Sequence, residues 1–123
     1  MLSLELAKRL KELGLKWEPQ RGDQYRVLLY KRLTQIYDAD PKNEYRIKDS
    51  VWLPRLDQLL AEIEERGYWW VLSHIAFERG VYKYEMVVSK KHSLQKDEIF
   101  IADSPTEATA QALIWILEQE GAN

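Results

Sequence analysis

Apolar side chains recur along this chain at two different spacings, and the switches between them mark its elements. Leu6, Ala7, Leu10 and Leu13 fall three or four positions apart behind Ser3. That spacing predicts an amphipathic helix over 4–13, with Ser3 as N-cap and Gly14 as its stop. Leu56, Leu59, Leu60 and Ile63 repeat the spacing between Pro54 and Gly67, and Glu62, Glu64, Glu65 and Arg66 fall mostly on the solvent side. A second helix is predicted over 54–66. The third has the clearest start: Ser104 as N-cap, Pro105 as first helical residue and Glu107 three positions after the cap. Ala108, Ala112, Leu113, Ile116 and Leu117 then carry a helical stripe, which predicts a helix over 105–120 that stops before Gly121.

Between the helices the period drops to two. Tyr25 to Tyr30 is β-rich, and Leu33 to Tyr37 is placed to pair with it across Lys31 and Arg32. Asp38 to Asn43 is a turn cluster, followed by a weak strand around Tyr45 to Lys48. Tyr68 to Phe77 is almost unbroken apolar sequence, the pattern of a central strand covered on both faces. Glu78, Arg79 and Gly80 predict a tight hairpin into 81–88, where Tyr82, Tyr84, Met86 and Val88 share one face and Lys83 and Glu85 the other. After a polar loop from Lys90 to Asp97, Ile99, Phe100, Ile101 and Ala102 predict a short buried strand. Helix, strands, helix, hairpin, strand, helix is the order of an α+β domain. A mainly antiparallel sheet packed by three helices is expected, in an α-β-α sandwich-like arrangement. The glycine stops at 14 and 67 are each followed three residues later by a tryptophan, Trp17 and Trp70. An old duplication would produce that likeness; amphipathic helices sharing glycine C-caps are the favoured explanation.

Length and composition narrow the class. With 123 residues, 46% hydrophobic and 31% charged, the chain is expected to fold as one domain over 1–123. It has no cysteine, which excludes disulfides and thiolate metal sites. No apolar run approaches the ~20 residues of a membrane span. The first residues lack the basic start of a signal peptide, so a cytoplasmic location is expected. The net charge of −2 conceals a gradient: residues 1–32 carry eight basic against four acidic side chains, whereas five acidic and no basic ones follow from Glu98 onward. Ends of opposite sign can attract within one domain or between two copies.

Trp52 and Pro54 before the second helix, the hairpin, and the run Ala102-Asp-Ser-Pro-Thr-Glu-Ala-Thr-Ala-Gln-Ala-Leu113 together resemble the phage ABA sandwich domain family over roughly residues 50–118. The family is one of small proteins of phages and prophages. The resemblance implies helices on both faces of a sheet and a phage or prophage setting. It implies no activity and carries over no catalytic or binding residue.

The chemistry is sparse. No glycine-rich phosphate loop, G-x-S-x-G elbow, H-E-x-x-H or Cys/His pair occurs, so no catalytic, cofactor-binding or metal-binding residue is assigned and a non-enzyme is expected. His74, mid-strand beside Trp70, Leu72 and Ala76, is expected as a core histidine rather than a base or ligand, and His92 as a solvated loop residue. Asp38, Asp40 and Asn43 miss the calcium-loop spacing and are read as a turn. Asp103, Ser104, Thr106 and Glu107 are read as helix capping. Aromatics remain: five Trp and seven Tyr. Adjacent Trp69 and Trp70 must point to opposite faces of their strand, so an open face would make one of them an anchor for a protein partner or a second copy. Tyr82 and Tyr84 with Lys90, Lys91, His92 and Lys96 offer the alternative, a stacking, basic surface for single-stranded nucleic acid. The expectation is an interaction domain, acting through an unidentified protein partner or self-association.

Overall fold

A computed structural model of the chain describes residues 2–18, 20–29, 32–33, 37–38 and 50–121. The elements run α1 (Leu4–Glu12), β1 (Gln24–Leu29), β2 (Arg32–Leu33), β3 (Tyr37–Asp38), β4 (Ser50–Leu53), α2 (Leu56–Glu65), β5 (Tyr68–Glu78), β6 (Val81–Lys90), β7 (Glu98–Ala102) and α3 (Pro105–Gly121). The class is α+β with antiparallel sheets. The weak strand expected around Tyr45 to Lys48 lies outside the described residues.

Local chemistry sets the helix limits. Ser3 Oγ accepts from the Leu6 amide at 3.5 Å and Ser104 Oγ from the Glu107 amide at 3.1 Å, each covering an amide with no intrahelical partner. Gly67, at φ +86°, supplies the left-handed residue that turns the end of α2 into β5. Four limits differ from expectation, two of them by one residue at the ends of α1 and α2. α2 starts at Leu56, not Pro54, because Arg55 is the extended N-cap and its amide is met by Gln58 Oε1 at 2.9 Å. α3 continues through Gly121.

Two antiparallel sheets form. In one, β1 pairs with β2, β3 and β4; in the other the order is β5-β6-β7. Strand β4 was not expected. Its Trp52 and Leu53 read as a lead into the helix, yet Leu53 pairs with Gln24 and Ser50 with Val27.

α3 is the centre of the core. Eight of its residues are buried, among them Ala108, Thr109, Ala112, Leu113 and Ile116, so it is apolar nearly all round. It packs on β6 and β7 and also on α1 and α2. The buried Thr109 hydroxyl donates to the Pro105 carbonyl at 2.7 Å, so no polar group is stranded there. From the sheet, Met86, Val88 and Ala102 close the core against α3, while Tyr68 meets Trp115 edge to face at 6.3 Å.

Three strand and side-chain expectations need correction. β5 is an edge strand paired to β6 alone among the described residues, and only one of its faces is covered. β7 is half buried: Phe100 and Ala102 face α3, whereas Ile99 and Ile101 face outward. The physical reason is shared. The described helices that pack on this sheet, α2 and α3, cover the face carrying Trp70, Met86 and Phe100, so alternate residues turn away from every helix. His74 lies on the covered face but beyond the reach of the helices, and is exposed rather than core. Among the described residues, no helix is long and apolar enough to cross a membrane.

Candidate interaction surface

The hairpin register builds the outer face of the β5-β6-β7 sheet. Across β5 and β6, Trp69 pairs with Ser89, Val71 with Val87, Ser73 with Glu85 and Ile75 with Lys83. Across β6 and β7, Val87 pairs with Ile99 and Glu85 with Ile101. Directly opposed residues of an antiparallel pair point to the same side, so these rows share one face. Trp69 is 64% exposed, Val71 60% and Ile99 57%, and Phe77 and Ile101 are exposed as well. An apolar band thus crosses all three strands. Contiguous exposed apolar surface of this kind marks a contact site more often than it marks plain surface.

Charged groups frame the band. Lys91 Nζ lies 4.3 Å from the centre of the Trp69 ring, a cation–π contact at one end. At the other end Lys83 Nζ pairs with Asp103 Oδ1 at 2.7 Å and lies 5.5 Å from the Phe77 ring centre. Ser89 Oγ donates to Asp97 Oδ1 at 2.6 Å. The cations on this face are therefore engaged at its rim.

The residues singled out in the sequence divide between two faces. Trp69 is outward. Trp70 is inward and half-buried, its Nε1 donating to Glu64 Oε1 of α2 at 2.9 Å. Tyr82 and Tyr84 are on the inner face: Tyr82 is exposed towards the end of the hairpin, whereas Tyr84 is half-buried against the core. There His74 stacks on Tyr84 with ring centres 4.5 Å apart and lies 5.7 Å from Tyr82. Lys90, His92 and Lys96 are exposed at the opposite end of β6, with His92 at φ +56° in the turn after it. Lys90 lies six positions beyond Tyr84 on one strand, a span of ~20 Å. The stacking rings and the lysine-rich loop are not brought together. Val71, Ile75, Phe77, Ile99 and Ile101 were missed as surface residues, because their apolar character reads as burial.

A second cluster was missed entirely. Asp23 is 3% exposed and its carboxylate accepts four hydrogen bonds. Oδ2 takes those of Trp17 Nε1 at 2.9 Å and the Gln20 amide at 3.1 Å; Oδ1 takes those of Gln58 Nε2 at 2.8 Å and Arg55 Nη1 at 3.2 Å. Burial pushes this carboxyl up, but the bonds from Trp17, Gln20, Gln58 and Arg55 outweigh it and hold it below its ordinary value. Every lone-pair direction is used, so Asp23 ties the segment after α1 to the start of α2 and has no capacity left for a ligand. Trp17 also stacks on Trp52 at 6.1 Å beside a hollow of about 180 Å³ lined by Leu10, Lys11 and Leu15 among others. Lys11 Nζ donates to the Ser50 carbonyl at 2.7 Å there. Among the described residues no cluster of three or more His, Asp or Glu could hold a metal ion.

No protein-family model matches the chain, and neither does any curated protein or solved structure.

Proposed function

We propose that the chain is a cytoplasmic, non-enzymatic accessory domain of phage or prophage type, acting through protein–protein contact on the outer face of the β5-β6-β7 sheet. One observation carries the reading: the apolar band of Trp69, Val71, Phe77, Ile99 and Ile101 lies in solvent beside a well-packed core. Its aromatic anchor matches contact surfaces, in which aromatics are enriched, and Lys91 and Lys83 lie at its two ends, while Glu85 stands within it between Ser73 and Ile101. The phage setting rests on the resemblance over residues 50–118. A photo-crosslinking side chain in place of Trp69 should capture a discrete partner in cells that the same probe at Asp57, exposed on α2, does not. Equal capture from both positions refutes the reading.

A second reading, a single-stranded nucleic-acid module, draws on the exposed rings of His74 and Tyr82 beside the half-buried Tyr84, which offer stacking faces. The distance from these rings to Lys90 and Lys96 weakens it, because stacking and phosphate neutralisation would act at separate places. It predicts amide shifts at Tyr82 and Tyr84 on titration with short oligonucleotides that persist at physiological salt. A flat titration removes it.

A further inference from the structure

Among the described residues, the two outer edges of the β5-β6-β7 sheet are guarded unequally. β7 is five residues long, begins at Glu98 and lies between Asp97 and Asp103, so a second strand of like sequence would meet acidic groups at both ends. β5 is eleven residues long and its other edge pairs with no strand among the described residues. It contains no proline and no lysine, and its single formal charge is the terminal Glu78. Soluble proteins blunt long edges with short strands, charges, prolines or a covering segment, since a free row of amides and carbonyls recruits another strand. β5 has one such device, the bulge between Ala76 and Glu78 at its far end.

From this we infer that β5 pairs antiparallel with β5 of a second copy across a two-fold axis at Ser73. The inference rests on reading this sheet as a contact surface. A like copy fits for two reasons. First, no charge lies between Tyr68 and Phe77, so self-pairing sets no like charges opposite each other. Second, the register is complementary in size: Trp70 falls opposite Ala76 and Val71 opposite Ile75, with the small Ser73 on the axis, and the ladder stops short of the bulge at Phe77. Odd residues meet odd residues, so the two apolar bands join into one continuous outer face on a six-stranded sheet. The paired edges run ~23 Å, short of what a standard interface of ~1,600 Å² needs, which is the size of a reversible rather than a permanent contact. The dimer therefore forms with rising concentration.

Sedimentation over micromolar to millimolar protein should show the mass climbing from 14.6 kDa towards twice that value. Because the chain has no cysteine, Ser73→Cys and Ile101→Cys each introduce a single thiol. Oxidation should link Ser73→Cys into a covalent dimer and leave Ile101→Cys, two strands away on the same face, largely monomeric. A mass fixed at 14.6 kDa at every concentration overturns the inference, while leaving the Trp69 photo-crosslinking test untouched. Linking at Ile101→Cys equal to or above that at Ser73→Cys also overturns it, in favour of copies packed face to face.

Discussion

Replacing Asp23 with asparagine keeps the shape of the side chain and removes its capacity to accept on both sides. In the native chain Oδ2 faces the Trp17 and Gln20 donors and Oδ1 faces the Gln58 and Arg55 donors. Whichever way the new amide turns, its NH₂ group confronts two donors and loses both bonds. Bonds to a charged acceptor are worth ~1.5–3 kcal/mol each, and the Arg55 share is discounted because that side chain is 50% exposed. Asp23→Asn should therefore cost about 2–3 kcal/mol near neutral pH, a sizeable part of the ~5–15 kcal/mol typical of a domain. The pH dependence gives a second check. The folded-state pKa of Asp23 lies below its ordinary value. Its stabilisation is thus fully present above the unfolded value of about 3.9 and is lost as pH falls through the folded one. The gap between native protein and variant should hold at near-neutral pH and shrink below about pH 4. Urea unfolding followed by tryptophan fluorescence at both pH values measures it. A cost under ~0.5 kcal/mol, or a gap unchanged in acid, would show that the four bonds do not stabilise the fold as argued.

Other substitutions separate the two faces of the sheet. Met86→Ala, at a fully buried position under α3, should cost ~2–5 kcal/mol, whereas Ile99→Ala on the outward face of β7 should stay within about 1 kcal/mol; equal costs in urea unfolding would contradict the assignment of faces. Ser104→Ala removes the cap on the Glu107 amide and should cost about 1 kcal/mol by the same measurement, with Ser104→Asp recovering most of it.

The helices were legible because their signals are local. Ser3, Gly14, Ser104 and Pro105 act within one turn of the backbone they cap, and nothing distant overrides them. The hairpin was legible for the same reason: Arg79 and Gly80, the latter at φ +78°, fix the turn and with it the faces of Tyr84 and Met86. β5 was misread because its outward residues Trp69, Val71, Ile75 and Phe77 are as apolar as its inward ones. Sequence pattern reports that a residue suits burial, not whether its own chain supplies the cover. Asp23 was passed over because it follows Gly22 in a polar stretch that reads as a turn, and two of its donors come from 32 and 35 residues further along. The lysine loop and the tyrosines looked adjacent because they are close in sequence, but an extended strand carries them apart.

The central claim is that one face of the β5-β6-β7 sheet is closed by the helices and the other is open for a partner. Methyl relaxation by a soluble paramagnetic probe, on dilute protein, tests it most directly. Strong enhancement at Val71, Ile99 and Ile101, with little at Leu113, Ile116 and Met86, is the result predicted. Protection of Val71 and Ile99 equal to that of Ile116 would contradict it, since the outer face would then be covered by the chain itself.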